Sequence, residues 1–223
     1  LIKIISEINA RSKDKTTAIS GKFTDVETLY ATKKFLESLG SIYYDCRYDN
    51  VQFKKNNRES YLFNSSIQKL DEADAILIIG SNPRWEASVL NTRIRKAYLH
   101  NDCRIGLIGK SLDLTYEYSH LSECLCFLNE IYEEKSFFCE ILQKAIKPFL
   151  IIGNSAINGE DGQDVLDLCA QITNKFKIIK DNWNGFNILQ QDISKVGALD
   201  IKFYNKEFSY NFNNSVKVHY DTY

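Results

Sequence analysis

Four residues in a row, Gly80-Ser81-Asn82-Pro83, join an uninterrupted apolar run, Ala75–Ile79, to a stretch with helical spacing. A glycine at a strand's end lets a ligand approach the backbone, and the helix after it points free N–H groups outward. That geometry can hold a phosphate. Yet the turn is neither G-x-G-x-x-G nor a Walker loop, and any helix needs a capped start. A nucleotide site and a plain capped turn therefore both stay open. Arg84, Arg93, Arg95, Lys96 and Arg104 surround the same helix. They can pair with phosphates, with carboxylates of a partner protein, or simply form a solvated face.

The other chemistry-bearing residues converge less. His100, His120 and His219 lie in no two-ligand spacing such as H-E-x-x-H, and read as hydrogen-bonded or surface residues. Cysteines stand at 46, 103, 124, 126, 139 and 169. Only Cys124 and Cys126 are close, and a lone C-x-C lacks the second pair that a zinc or iron–sulfur site requires. All six read as small apolar residues in a reducing compartment. Nothing selects a catalytic pair among the 29 acidic residues. No catalytic residue and no metal ligand is predicted. The sequons at Asn64 and Asn213 read as chance matches in an asparagine-rich chain.

Composition excludes several classes. The 223 residues are 44% apolar, enough for a globular core, and 28 basic against 29 acidic residues give a net charge of −1. Such a balance attracts neither nucleic acid nor an anionic membrane surface. The longest apolar runs, 75–79 and 149–152, fall far short of the roughly 20 residues that span a bilayer. Lys, Asn, Ile, Tyr and Phe are abundant, Pro occurs twice and Met never. A/T-rich codons encode those five residues, a bias common in organelle genomes and in some A/T-rich nuclear ones. With Leu1 first, the chain is expected to be processed, truncated or numbered from an internal point.

The elements alternate, with no repeat and no linker, so a single domain over residues 1–223 is predicted. Residues 17–19 form a short apolar-leaning segment. Spacing predicts a helix over 25–39, stopped by Gly40. Ala75–Ile79 reads as a strand covered on both faces. Asn82 is suited to cap the next helix and Pro83 to open it. That helix is predicted over 84–99, with Ala87, Leu90, Ile94 and Ala97 on the apolar stripe and Ser88, Asn91 and Arg95 on another side. A strand over 105–108 closes a βαβ unit. The pattern recurs with a strand over 149–152, a helix over 162–175 and a strand over 176–179. The fold class is α/β, a mostly parallel sheet with flanking helices.

From residue 72 to 109 the chain reads EADAILIIGSNPRWEASVLNTRIRKAYLHNDCRIGLIG. This string closely resembles the large iron–sulfur subunit of respiratory complex I, NADH:ubiquinone oxidoreductase. So do the string from Ser60 to Asn64, Asp113-Leu114-Thr115-Tyr116 with His120, Asn187-Ile188-Leu189, and Val196-Gly197-Ala198-Leu199-Asp200. The resemblance is dense from residue 60 to 121, thinner but in the same order elsewhere, and fades after Asp200. It implies the molybdopterin-oxidoreductase-like (Rossmann-like) domain, without the cysteine motifs of the family's iron–sulfur half. In those relatives a G-x-N-P loop contacts the cofactor dinucleotide, and Gly80, Asn82 and Pro83 match it. In the complex I branch the resemblance implies a vestigial loop and a scaffold role, with Arg84 and Glu86 its marks.

The implied setting is the peripheral arm of the mitochondrial inner membrane, matrix side. FMN and iron–sulfur clusters would lie in partner chains, among them a separate cluster-bearing polypeptide and the flavoprotein subunit. The chain would then be a fragment or one half of a split subunit. Two rivals remain: a cofactor-binding molybdopterin oxidoreductase fragment, and a nucleotide-binding module using the Gly80–Pro83 loop.

Overall fold

The computed structural model describes residues 6–7, 16–47, 49, 51–54 and 57–204. His219, Asn213 and the tail beyond Tyr204 lie outside them. The chain divides into two compact units, one of Asp49–Asp192 and one of Leu1–Tyr48 with Ile193–Tyr223.

In the second of these, strand β1 (Ala18–Ile19) pairs in parallel with β2 (Tyr44–Asp45). Helix α1 (Val26–Ser38) runs between them. Its start follows from Asp25, whose Oδ1 accepts the Thr28 N–H at 2.7 Å and so satisfies an orphan donor of the first turn. Its end follows from Gly40, at φ +77°, the left-handed conformation that terminates helices. A later helix, Lys195–Asp200, packs on α1, with Gly197 against Val26. Lys195 is buried and donates from Nζ to the Cys46 carbonyl at 3.1 Å.

The unit Asp49–Asp192 is built on one five-stranded sheet. Strand β3 (Ala75–Ile79) leads into α2 (Pro83–Glu86), α3 (Ser88–His100) and β4 (Arg104–Ile108). Then follow β5 (Ser119–Ser122), α4 (Phe127–Tyr132), α5 (Phe138–Lys144) and β6 (Pro148–Gly153). The unit closes with α6 (Asn154–Ile157), α7 (Gly162–Lys175), β7 (Ile179–Lys180), β8 (Trp183–Asn184) and β9 (Phe186–Leu189). The sheet order is β5-β4-β3-β6-β9, every pair parallel.

Alternation along the strands divides the core in two. Ala75, Leu77, Ile79, Leu150 and Ile152 pack with residues of α4, α5 and α7, among them Leu128, Phe138, Leu142 and Cys169. Ile76, Ile78, Ile105, Leu107 and Ile151 pack instead with Leu90, Ile94 and Ala97 of α3. A strand of Ile and Leu with no polar residue serves both faces at once, since successive side chains point oppositely. Each such side chain contributes about 1.5–3 kcal/mol on burial. The predicted α/β class and parallel sheet are observed. No helix among the described residues is long and apolar enough to cross a membrane.

Two predicted elements differ. The helix over 84–99 is two helices, because Ala87 leaves helical geometry at φ −152°, ψ 69°. The strand over 176–179 does not join the sheet. Phe176 caps α7, its N–H donating to the Ile172 carbonyl, and Lys177 turns at φ +52°. Ile179 and Lys180 instead pair antiparallel with β8, and the edge beside β6 is taken by β9. Gly185 permits that approach, since a Cβ there would overlap the Pro148 carbonyl oxygen.

Candidate functional site

Strand order locates the place where a ligand would sit. From β3 the chain moves outward through β4 to β5, then returns to the other side of β3 with β6 and β9. In open α/β sheets the crevice at such a reversal, beyond the strands' carboxyl ends, is the binding position. The Gly80 turn and the Gly153-Asn154 turn are its two walls. The predicted Gly80–Pro83 turn thus forms one wall of that crevice.

The walls are in contact. Gly80 adopts φ +55°, and a Cβ on it would stand 2.7 Å from the Ala156 Cβ. A Cβ on Gly153 would overlap the Gly80 carbonyl oxygen and come within 2.6 Å of the Ser81 Cβ. Ser155 Oγ donates to that same Gly80 carbonyl, and the Gly80 N–H donates to Ile108 O at 2.8 Å. On the far side a Cβ on Gly109, at φ +137°, would lie 3.7 Å from Gly80 Cα. Glycine here serves backbone against backbone, a packing role, where the sequence allowed a ligand in that space.

Asn82 stands at the N-cap position, and its carbonyl accepts from the N–H groups of Trp85 and Glu86 at 3.0 and 2.9 Å. Its side chain makes no capping bond, contrary to expectation. Pro83 opens the helix as predicted, but that helix is only four residues long, too short for the summed dipole that favours a phosphate. Ser81 Oγ donates to Glu86 Oε2 at 2.7 Å, so a carboxylate faces the turn. Asn82 Oδ1, Asn154 Oδ1 and Gln190 Oε1, at the ends of β3, β6 and β9, are buried without a donor among the described residues.

The basic residues do not converge on the turn. Arg84 Nη1 reaches Asp113 Oδ2 at 2.5 Å and the Asp113 carbonyl at 3.1 Å. That carboxyl lies below the usual range, because the Thr115 N–H and then Arg84 donate to it. Arg93 and Lys96 both bond Asp71 Oδ2 at 2.7 Å. Arg95 donates to the Thr115 carbonyl, and Arg104 is exposed at the start of β4. The string Asp113-Leu114-Thr115-Tyr116, which the sequence marked without a chemistry, is thus what α2 and α3 dock against. Asn91, expected away from the apolar stripe, is buried at its centre. Its Nδ2 donates to Leu114 O at 3.1 Å and its Oδ1 accepts from Tyr116 Oη at 2.8 Å.

His120 Nε2 donates to the Gly109 carbonyl at 2.7 Å, and His100 is exposed at the end of α3. Neither faces another titratable group in a catalytic arrangement. Among the described residues no three His, Cys, Asp or Glu side chains group as metal ligands. Cys46, Cys103, Cys139 and Cys169 are buried free thiols, as expected of small apolar residues. Cys124 and Cys126 depart from that expectation: both are exposed and their sulfurs are joined as a disulfide. A recess of about 210 Å³ lies elsewhere, bordered by Lys54, Asn57, Glu59 and Thr173, and carries no convergent chemistry.

The family model described as Molybdopterin oxidoreductase matches residues 2–220. The chain belongs to the molybdopterin oxidoreductase family. A subunit of the NADH-quinone oxidoreductase of Rickettsia bellii is 34% identical over 90% of this chain and 29% of that protein. The NADH-ubiquinone oxidoreductase 75 kDa subunit of Reclinomonas americana is 34% identical over 99% of this chain and 34% of its own length. The mitochondrial 78 kDa subunit of Neurospora crassa is 35% identical over 83% and 26% respectively. The chain thus spans about a third or less of these curated relatives. Among solved structures, the formyltransferase/hydrolase complex of Methylorubrum extorquens, bound to methylofuran, matches with a TM-score of 0.50 at 15% identity. It covers 85% of this chain and 56% of that one, a likeness of fold alone.

The residues at the crevice do not fit the dinucleotide of a molybdopterin oxidoreductase. The two walls pack directly on each other, Ala156 against Gly80 and Gly153 against the Gly80 carbonyl. The carboxamide oxygens of Asn82, Asn154 and Gln190, left without partners at the strand ends, are acceptors, and a pyrophosphate also brings only acceptors. Arg84, on the helix that follows the turn, is engaged by Asp113, and Ser81 of the turn already donates to the Glu86 carboxylate.

Proposed function

We propose that this chain is a cofactor-free structural part of the NADH-oxidising peripheral arm of respiratory complex I, on the matrix side of the mitochondrial inner membrane. Electrons pass from NADH through the FMN and iron–sulfur clusters of that assembly, with the flavoprotein subunit among this chain's partners. This chain holds those neighbours in register and performs no redox step at the Gly80–Pro83 turn. The relatives named above support the assembly. The observation that carries the scaffold role is the closed crevice, where the turn that would cradle a dinucleotide packs on Gly153 and Ala156 instead.

A partner-facing surface lies on α2 and α3. Trp85 is 82% exposed and Val89 65% exposed. Apolar groups that large at the surface suit burial against another protein. The basic side chains are weaker candidates, because Arg84, Arg93, Arg95 and Lys96 already have partners within the chain.

Native electrophoresis of the source membranes, stained for NADH dehydrogenase activity and followed by mass spectrometry, tests the assignment. The chain should be found in the active band together with other complex I subunits. Migration apart from that band removes the complex I assignment. Molybdenum or nucleotide released stoichiometrically from the denatured chain removes the cofactor-free reading.

A further inference from the structure

Cys124 and Cys126 differ from the other four cysteines in their access to solvent. They are exposed, whereas the others are buried. Burial pushes the thiols of Cys46, Cys103 and Cys169 up to about 12 and that of Cys139 upward too. Thiolates react and buried thiols do not, so accessible thiol chemistry concentrates at one turn.

That turn is held in place from beneath. Leu125 packs onto the core under the sheet, which leaves the side chains before and after it outside. The carbonyls of Cys124, Leu125 and Cys126 accept from the N–H groups of Phe127, Leu128 and Asn129 at 3.2, 3.0 and 3.1 Å. The Cys124 N–H donates to Ser122 Oγ at 3.0 Å. The two Cα atoms stand 5.2 Å apart, within the range a disulfide spans. The backbone thus already brings the sulfurs together, and closing the ring orders little more. The Cys126 N–H points at Cys124 Sγ, 3.1 Å away, where it stabilises negative charge on that sulfur.

We propose that Cys124-Leu125-Cys126 is a reversible dithiol–disulfide site that exchanges with a low-molecular-weight thiol–disulfide couple. In oxidation the Cys124 thiolate attacks one sulfur of the small disulfide, forming a mixed disulfide and releasing one thiolate. Cys126, its proton lost to solvent, then attacks Cys124 Sγ and displaces the second thiolate. The two cysteine sulfurs lose two electrons, the small disulfide gains them, and the two protons end on the released thiols. Reduction is the reverse.

The test uses the purified protein equilibrated with graded ratios of reduced to oxidised glutathione, alkylated natively with excess maleimide at neutral pH and read by intact and peptide mass spectrometry. Two alkylation sites, mapped to Cys124 and Cys126, should disappear together as the buffer becomes oxidising. The remaining four thiols should stay unmodified until the protein is denatured. Cys126→Ser should accumulate a glutathione adduct on Cys124, while Cys124→Ser should form its adduct at least several-fold more slowly. The site does not exist if both thiols remain alkylatable at every ratio, or if the wild-type protein accumulates a stable glutathione adduct without ring closure. Both side chains are exposed, so the double variant Cys124→Ser/Cys126→Ser should melt with the wild type and controls for folding.

Discussion

Gly153 lies so close to Gly80 that a Cβ on it would overlap the Gly80 carbonyl oxygen. The two glycines end neighbouring parallel strands, β3 and β6, at the reversal of strand order, where relatives of this architecture open a crevice. Here the backbone fills it. Overpacking at such a point costs about 1–3 kcal/mol, since the atom in the way is backbone and cannot rotate aside. Gly153→Ala should therefore lose about that much stability in urea unfolding. Gly21→Ala, whose Cβ would meet only the Thr24 hydroxyl at 3.9 Å, should change little. An unaffected Gly153→Ala would mean the crevice is open enough to relax, and the cofactor-free reading would weaken with it.

The parts of the fold that could be read in the sequence are those fixed by local chemistry. Apolar runs such as Ala75–Ile79 have one solution in an α/β protein, and Asp25 and Gly40 bound α1 through their own caps. What could not be read depends on partners distant in sequence. Nothing near Ala87 announces a break, because α2 and α3 are placed by contacts with residues 113–116. Asn91 looked like a surface residue because its partners, Leu114 O and Tyr116 Oη, lie about two dozen positions away. Phe176 and Ile178 are apolar and closely spaced, as in a strand, yet the left-handed Lys177 between them makes both into a helix cap. At the candidate site the position of the Gly80 turn was legible. Its closure was not, since it rests on Ala156 and Gly153, far along the chain.

Asn91 gives a measurable case of that hidden pairing. Replacing it by Leu would leave the Leu114 carbonyl and the Tyr116 hydroxyl without their partner in a buried place. Such orphaned groups cost about 1–3 kcal/mol each. With two groups orphaned, Asn91→Leu should destabilise by about 2–6 kcal/mol, Tyr116→Phe by less, and the double variant by less than the sum of the two. A double-mutant cycle by thermal or urea unfolding reads the coupling, expected at about 0.5–3 kcal/mol for groups in direct contact. Strict additivity would show that the bond contributes nothing.

Asp71 ties the start of the sheet region to α3, and its contribution depends on pH. Burial alone would raise its carboxyl, and its Oδ1 is buried without a partner among the described residues. The hydrogen bonds from Lys96 and Arg93 to Oδ2 outweigh this and hold it below the ordinary value. A carboxyl lowered in the folded state stabilises it fully above the unfolded value, about 3.9, and ceases to do so as pH falls through the folded value. The stability gap between wild type and Asp71→Asn should be constant from neutrality to about pH 5 and shrink below about pH 4. Urea unfolding across that range measures it. A gap that persists undiminished in acid would mean that Asp71 acts by shape, not by charge.

Trp85 separates folding from assembly. At 82% exposure its indole adds little to the stability of the isolated chain, so Trp85→Ala should leave the melting temperature almost unchanged. If α2 faces a partner, the same substitution removes the kind of large, rigid side chain that dominates interfaces, at about 2 kcal/mol or more. That corresponds to roughly thirtyfold weaker association. Arg95→Glu is the informative comparison. Its guanidinium is committed to the Thr115 carbonyl, so charge reversal should disturb assembly less than loss of the indole. Recovery of each variant in the NADH dehydrogenase band of a native gel, quantified against wild type, distinguishes the two. Full recovery of Trp85→Ala would remove this surface from the interface, and a larger defect in Arg95→Glu would return the contact to the basic flank of α3.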